Sequence, residues 1–210
     1  MHGFWRSFTS FGDSGFLLPT ALLLALWLFI DRHSRRAAMQ WVLMFGACGF
    51  VVMVSKIAFM GWGIGVQSVE FAGFSGHAMR AGAVFPVAGF LAFRSSPPPA
   101  RLLATAFGVL LAVLIAVSRV YIRVHSVSEV VTGCLLGLAV AALFIWYAGN
   151  EHHMALSRVL VALCLPVLLL APRVEPIPTE TWIAQAALYL SGRDHPYTRA
   201  IWRAPRPRVL

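Results

Sequence analysis

Six apolar runs alternate with short polar segments along this chain, and they limit its fold more than any other feature of the sequence. A lipid bilayer contains no water that could form hydrogen bonds with backbone N–H and C=O groups. A run of roughly 20 apolar residues therefore crosses it as a helix. The predicted spans cover residues 15–30, 37–60, 77–93, 102–117, 128–148 and 154–171. We therefore predict an all-α, integral membrane bundle of six helices.

The composition agrees with a membrane protein and argues against other classes. The 210 residues are 59% hydrophobic and only 12% charged, whereas about a quarter of the residues in a soluble domain are charged. The net charge of +9 is carried by short loops and a C-terminal tail, which favours contact with anionic lipid headgroups and not with nucleic acid. Cys48, Cys134 and Cys164 lie inside apolar runs and indicate neither a disulfide framework nor a metal site.

The chain divides into two predicted parts. Residues 1–172 form the six-span membrane domain, and its first span is not a signal peptide, because a basic segment follows it without a small-residue cleavage site. Residues 173–210 form the second part, which begins among prolines. Residues 179–190 carry one apolar stripe and precede Gly192, so they predict a short amphipathic helix at the membrane interface, followed by a basic tail.

The stretch 118–129 (Ser-Arg-Val-Tyr-Ile-Arg-Val-His-Ser-Val-Ser-Glu) separates the fourth and fifth spans. Ionisable groups beside a span are costly, so this cluster is a candidate site, although a solvated basic loop would have the same composition. On a helix, His125 and Glu129 would share one face, and the carboxylate could hold one imidazole nitrogen. Arg119 and Arg123 have the same spacing, and guanidinium groups suit phosphate.

Alternation of the spans brings distant polar residues to one membrane face. Lys56 ends the second span and His77 begins the third, so both lie at the same face. The third span crosses the bilayer and the fourth returns, which delivers Arg119 and His125 to that face as well. The opposite loops carry more arginines, and the positive-inside rule therefore places this cluster outside the cytoplasm. The convergence holds only for the span count given above.

Two histidines among cations, without an acidic cage for a metal, suit phosphoryl transfer that requires no metal ion and no cofactor. One imidazole would attack phosphorus, and the other would protonate the leaving oxygen. Lysine, arginine and backbone N–H groups would stabilise charge on the remaining oxygens. Such N–H groups are expected where Ser75, Gly76 and His77 begin the third span, because a helix N-terminus binds anions.

Two motifs in these segments resemble signatures of a known family. Residues 73–77 (Gly-Phe-Ser-Gly-His) and residues 118–129 resemble the second and third signatures, P-S-G-H and S-R-x5-H-x3-D, of the type 2 phosphatidic acid phosphatase family (PAP2). The fixed spacing of the third signature makes it the more specific of the two. The resemblance implies a membrane lipid phosphatase with the helical core that this family shares with vanadium haloperoxidases.

The resemblance also implies a role for each matching position. His125 is the implied nucleophile, Glu129 the carboxylate that orients it, and His77 the general acid that later activates water. The residues implied to hold the phosphate are Lys56, Arg119, Ser75 and Gly76.

The first signature of the family, K-x6-R-P, is only partly present. Lys56 matches its lysine, but Gly63 and Ile64 stand where the arginine and proline are expected. One phosphate-binding guanidinium is therefore missing. We expect Arg80, about one helical turn after His77, to supply it.

Two further positions depart from the family pattern. Phe74 replaces the proline before Ser75, which affects the rigidity of the loop more than its chemistry. Glu129 replaces an aspartate, and its additional methylene still allows a hydrogen bond to His125. Arg123 is a weaker candidate for a contact with the lipid headgroup.

The implied function is hydrolysis of a lipid phosphate or diphosphate through a phosphohistidine, at the outer face of a bacterial inner membrane. Undecaprenyl diphosphate, phosphatidylglycerol phosphate, phosphatidate and lipid A are family substrates among which the sequence does not choose, and it does not indicate the oligomeric state. One alternative is a phosphotransferase that passes the phosphoryl group to a lipid. Another is a non-catalytic lipid-binding or transport protein, against which the retained histidines, Lys56 and Arg119 argue.

Overall fold

Helices make up most of the computed structural model, which describes residues 2–30, 32–149 and 178–203. The sixth predicted span, residues 154–171, lies outside these described residues. Two short 3₁₀ turns, Ser10–Gly12 and Gln67–Val69, lie between the helices. The helices are α1 His2–Thr9, α2 Ser14–Ile30, α3 Arg35–Trp62, α4 Gly76–Ala92, α5 Pro98–Tyr121, α6 Val127–Gly149, α7 Thr179–Ser191 and α8 Arg199–Arg203.

The five predicted spans that fall on described residues are all helical, which confirms the all-α membrane fold. Four stretches are long and apolar enough to cross a bilayer: Ser7–Ile30, Arg35–Trp62, Pro98–Tyr121 and Val127–Gly149. Helix α4 has 17 residues and carries His77 and Arg80 in its first two turns. It is as short as α2 and, unlike the other four predicted spans in the described chain, it is not among these four stretches.

Helix α5 begins earlier than the predicted span, because it includes two of the three consecutive prolines at positions 97–99. Pro97 has extended ψ and precedes the helix, whereas Pro98 and the next proline form its first turn. Proline is tolerated there, since the first helical N–H groups have no partner within the helix and proline already has a helical φ.

Helix α4 lies at the centre of the bundle, between α5 and α6, with which it makes its most extensive contacts. Glycines on α6 allow the backbones to touch: a Cβ at Gly133 would lie 2.5 Å from the carbonyl oxygen of Ser75, and one at Gly137 would collide with that of Met79. On the other side, a Cβ at Gly108 of α5 would lie 2.5 Å from the carbonyl oxygen of Phe85. Gly133 and Gly137 have the small-xxx-small spacing that allows such a close approach of two helices.

Helices α2 and α3 complete the core on the remaining side of α4. Trp41 is fully buried, stacks on Phe45 and packs edge-on against Phe144, and its indole nitrogen donates to the carbonyl of Ala21 at 3.0 Å. Large apolar side chains cover the outer surface of the long helices, as expected where lipid replaces water. Examples are Leu22, Phe29, Leu43, Phe50, Leu102, Phe107, Leu135, Leu143 and Trp146.

The described parts of both terminal segments, residues 2–13 and 178–203, pack at the end of the bundle where α3 and α5 finish and α4 and α6 begin. In the N-terminal segment, α1 lies against α5. The predicted C-terminal helix is α7, which ends at Gly192 and packs on α3. Its location at the membrane interface stays a prediction. The chain ends therefore cover the same face to which the predicted site residues converge.

Candidate active site

Five of the eight predicted site residues line one cavity of about 320 Å³. They come from different elements: Lys56 from the last turns of α3, His77 from the first turn of α4, Arg119 from the last turn of α5, and His125 and Glu129 from the turn and helix that follow. The convergence predicted from span alternation is therefore present in the fold.

His125 lies in the turn between α5 and α6, and only 11% of its side chain is exposed. Its Nδ1 lies 2.7 Å from Glu129 Oε2. Because an ionised carboxylate only accepts hydrogen bonds, Nδ1 carries the proton and Nε2 carries the lone pair. Burial lowers the pKa of His125, although its hydrogen bond to Glu129 acts in the opposite direction. The imidazole is thus neutral near pH 7, as a nucleophile requires.

The contact between His125 and Glu129 does not arise from two positions on one helix, as the spacing had suggested, because α6 begins only at Val127. Instead, Ser126 and Glu129 form a capping box at its N-terminus. Ser126 Oγ accepts from the Glu129 amide at 3.3 Å, and Glu129 Oε2 accepts from the Ser126 amide at 3.2 Å. The carboxylate that orients His125 is therefore also part of the helix cap.

The loop before α4 is attached to the same carboxylate. Glu129 Oε1 accepts a hydrogen bond from the amide of Ala72 at 2.8 Å, and the carbonyl of Glu129 accepts one from the amide of Ser75 at 3.0 Å. Gly73 has φ 117°, a conformation that side chains rarely adopt, and its Cα faces the backbone and side chain of Lys56. One residue, Glu129, thus connects the nucleophile to the loop that carries the second signature.

Lys56 is buried and forms an ion pair with Glu180 of α7. Burial alone would raise the pKa of the Glu180 carboxyl, but the charge of Lys56 and the hydrogen bond to it hold that pKa below its usual range. The Glu180 side chain remains 57% exposed. Glu180 therefore places a carboxylate on the lysine that the family resemblance assigns to phosphate.

His77 also has a carboxylate partner. Its Nε2 lies 2.5 Å from Asp13 Oδ1, in the turn that begins α2, and its Nδ1 lies 3.5 Å from Nη2 of Arg80. Because Asp13 accepts a hydrogen bond when ionised, Nε2 is the protonated nitrogen in this arrangement. The contact with Arg80 is at the limit of hydrogen-bond distance and is the weaker of the two.

Two arginines present unused donors beside the cavity. Arg119 Nη1 donates to Thr9 Oγ1 at 3.4 Å, and its Nε is buried without a partner among the described residues. In the same part of the chain, the Nε of Arg80 is likewise buried and unpartnered. Buried donors without acceptors are costly, so both guanidinium groups are suited to bind an oxyanion.

Three predicted site residues lie outside the main cavity. Gly76 and Arg80 line an adjoining cavity of about 290 Å³, which also contacts Lys56 and Glu180. Ser75 is fully buried and serves as the N-cap of α4, with its Oγ 3.5 Å from the amide of Ala78. Its direct contact with phosphate stays a prediction.

Arg123, the weaker candidate, is exposed and has φ 58° just after the end of α5. It therefore does not continue the helical face of Arg119, as the spacing of the two residues had suggested.

The site also contains three residues that the sequence did not indicate: Asp13, Glu180 and Arg199. Asp13 contacts His77 across 64 residues, Glu180 contacts Lys56 across 124, and Arg199 Nη2 lies 2.5 Å from Glu129 Oε2 across 70. No motif or spacing connects such distant positions. The only local signal was their type, since each is a charged residue next to an apolar segment.

The sequence is similar to a known family and to individual proteins. The PAP2 superfamily profile matches residues 62–153. An uncharacterised 22.5 kDa protein from the cps region of Klebsiella pneumoniae is 36% identical over 200 residues, which cover 93% of this chain and 95% of the relative. Phosphatidylglycerophosphatase B of Bacillus subtilis is 31% identical over 137 residues, which cover 62% of this chain and 66% of the relative.

The fold has a solved counterpart as well. It is similar to the crystal structure of a transmembrane PAP2-type phosphatidylglycerolphosphate phosphatase from Bacillus subtilis, with a TM-score of 0.56 and 25% sequence identity. The similarity covers 73% of this chain and 79% of that one. With the cavity, the matched signatures and the membrane helices, these relatives establish that the chain belongs to the PAP2 superfamily.

Proposed function

We propose that this protein is a metal-independent membrane phosphatase that hydrolyses a lipid phosphate or diphosphate through a phosphohistidine at His125. The observation that carries the proposal is the orientation of His125. Its Nδ1 is held by Glu129, so Nε2 presents its lone pair to a cavity lined by Lys56 and Arg119. A neutral, oriented imidazole beside two cations is suited to attack a phosphate group.

In the first step, the lone pair of His125 Nε2 attacks phosphorus, and the bond from phosphorus to the leaving oxygen breaks. For this step His77 is an imidazolium with a second proton on Nδ1, and it donates that proton to the leaving oxygen while Asp13 stays bound to Nε2. The carboxylate of Glu129 stabilises the positive charge on the phosphorylated imidazole. Lys56 and Arg119 stabilise the negative charge on the three remaining phosphate oxygens.

In the second step, a water molecule attacks the phosphohistidine. His77, now neutral, accepts a proton from the water, and the bond between phosphorus and Nε2 breaks to regenerate His125. Asp13 holds Nε2 of His77, so Nδ1 is the nitrogen that faces the reacting oxygens. The weak contact of Nδ1 with Arg80 leaves it available for this exchange.

Arg80 binds the substrate phosphate on the side of the leaving group. Its guanidinium lies next to His77 and has an unpartnered buried Nε. If Arg80→Ala left the kinetics of phosphate release unchanged while Arg119→Ala abolished release, this role for Arg80 would be wrong. Gly76 and Ser75 contribute the helix N-terminus from which α4 begins.

The lipid part of the substrate enters from the apolar side of the site. The cavity that adjoins Lys56 is lined mainly by apolar side chains of α2, α3, α4 and α7, which suits a hydrocarbon chain. Phosphatidylglycerol phosphate is the first substrate to test, in view of the Bacillus subtilis relative, with undecaprenyl diphosphate, phosphatidate and lipid A as alternatives. The positive-inside distribution of arginines supports a site on the periplasmic face of a bacterial inner membrane.

The test is phosphate release by the purified protein in detergent from this panel of lipids, in the presence of EDTA. We expect release that vanadate inhibits and that His125→Ala abolishes. Release by His125→Ala, or complete dependence on an added metal ion, would overturn the mechanism. Transfer of the phosphoryl group to an added lipid acceptor, without release of inorganic phosphate, would instead indicate a phosphotransferase.

A further inference from the structure

We propose that Arg199, on the C-terminal segment, supplies the phosphate-binding guanidinium that the first signature lacks. This proposal rests on the proposed function, because it concerns the phosphate site of the same cavity. It depends on where the C-terminal segment packs, on how that segment is anchored and on what the Arg199 side chain contacts.

The position of the missing arginine is occupied by another part of the chain. Gly63, which stands at that position, ends α3 with φ 72°. A side chain is disfavoured there by conformation and also by space, because a Cβ would lie 2.9 Å from the ring of Tyr197. A Cβ at Gly65 would similarly lie 2.7 Å from Trp202. The C-terminal segment therefore covers the place from which the signature arginine would extend.

The segment is held there by contacts on both sides of Arg199. The amide of Tyr197 donates to the carbonyl of Met60 at 2.7 Å, within the last turn of α3. The side-chain amide of Gln67 donates to the carbonyl of Trp202 at 2.8 Å. The ring of Phe59 packs against Tyr197 and Trp202, with centroids 5.9 and 4.9 Å apart. Arg199 thus extends from a short segment that is fixed to the end of α3.

The side chain of Arg199 reaches the catalytic cavity. It lines the cavity together with Lys56, Arg119 and His125, and 26% of it is exposed. One nitrogen, Nη2, lies 2.5 Å from Glu129 Oε2. A guanidinium has five N–H donors in a planar fork, so it can bind this carboxylate at one edge and a phosphate oxygen at another. Arg199 would then bridge the nucleophile's carboxylate and the substrate.

Arg199 and Arg80 serve different sides of the reaction. Arg80 lies against His77 and lines the neighbouring cavity, so it belongs to the leaving-group side. Arg199 contacts the residue that orients the nucleophile. In this protein, the guanidinium that the first signature would place at the end of α3 is therefore supplied by a distant segment. Gly63 leaves the space that this segment occupies.

The experiment compares Arg199→Ala, Arg199→Lys and the control Arg193→Ala in the purified full-length protein. Arg193 lies on the same segment and stacks on Tyr197, with its guanidinium 5.3 Å from the ring centroid, but it does not line the cavity. The inhibition constants of vanadate and inorganic phosphate are measured with kcat and KM. For Arg199→Ala we expect both inhibition constants to rise about 10- to 100-fold, with a smaller rise for Arg199→Lys and no change for Arg193→Ala.

Added guanidinium chloride at millimolar concentration should partly restore Arg199→Ala and leave Arg193→Ala unchanged. Unchanged inhibition constants in Arg199→Ala would overturn the proposal, even if kcat fell, because Arg199 would then act only through Glu129. If the wild-type protein released phosphate from no lipid, the proposed function would fail by itself. Vanadate binding to wild type and Arg199→Ala, followed by vanadium NMR, would still decide whether Arg199 binds an oxyanion.

Discussion

The cavity contains two imidazole–carboxylate pairs that are built in different ways. His125 and Glu129 lie within one turn and helix start, and the carboxylate accepts hydrogen bonds from His125 Nδ1, from the amides of Ala72 and Ser126, and from Arg199. His77 and Asp13 come from α4 and from the turn before α2, and the Asp13 carboxylate accepts a hydrogen bond from His77 Nε2.

This difference separates two tasks that a carboxylate can perform. Glu129 has 1% of its side chain exposed and holds the helix cap, the signature loop and the nucleophile together. Asp13 is 23% exposed and contributes mainly its charge to His77. Substitutions of Glu129 should therefore affect both structure and catalysis, whereas substitutions of Asp13 should affect catalysis alone.

The largest effect is expected at Glu129. Glu129→Gln keeps the size of the side chain but removes its charge, so we expect kcat to fall about 100- to 1,000-fold, because the phosphorylated imidazole loses its counter-charge. Glu129→Asp keeps the charge but shortens the reach, and a loss of about 10-fold is expected. The measurements are kcat and KM for lipid phosphate hydrolysis, and the melting temperature of each variant.

Glu129→Gln should also change the pH profile. Burial lowers the pKa of His125 and the hydrogen bond to Glu129 partly raises it again. In the wild type, the acidic limb of the kcat/KM profile should therefore lie below the usual histidine pKa of about 6.5. Loss of the Glu129 charge should move this limb to still lower pH. A shift to higher pH would contradict the assignment of Glu129 as the partner of His125.

A smaller effect is expected at Asp13. In Asp13→Asn, we expect kcat to fall about 10- to 100-fold with little change in KM. Without its carboxylate partner, His77 would transfer the proton less effectively. Asp194→Asn is the control, because Asp194 is exposed and lines neither cavity. An equal loss in both variants, or a large drop in the melting temperature of Asp13→Asn, would show that Asp13 has a structural role like that of Glu129.

The smallest effect is expected at Glu180, the third carboxylate of the site. Glu180 pairs with Lys56, which is also the proposed phosphate ligand, so the carboxylate and the phosphate would compete for one cation. We expect Glu180→Gln to lower KM and the vanadate inhibition constant about 2- to 10-fold at unchanged kcat. The apo protein should become less stable, because Lys56 loses its partner, and vanadate should restore its melting temperature. A higher KM would mean that Glu180 assists substrate binding.

Sequence reasoning predicted the parts of this site that depend on short-range patterns. The third signature fixed His125 and Glu129, and the alternation of spans brought Lys56 and His77 to them. Sequence reasoning missed the capping box of Ser126 and Glu129, although S-x-x-E before an apolar run is its local pattern, and the box accommodates glutamate at this position.

The remaining parts depend on how the chain ends fold back on the bundle. Asp13, Glu180 and Arg199 reach the cavity from segments that are distant in sequence, and their positions follow from tertiary packing against α2, α3 and the loop after Gly63. Periodicity describes which face of a helix is apolar, but it carries no information about which distant charge meets that face. The missing first-signature arginine showed that the phosphate site was incomplete, and only the fold could indicate Arg199.

The glycine contacts between α4 and α6 bear on how such a protein can diversify. Gly133 and Gly137 place the backbones of α4 and α6 in direct contact, and these helices begin close to His77 and His125. The separation of the two histidines therefore depends on this backbone contact more than on the side chains that line the cavity. Substitutions in the terminal segments should accordingly alter the lining of the cavity without moving the two histidines relative to each other.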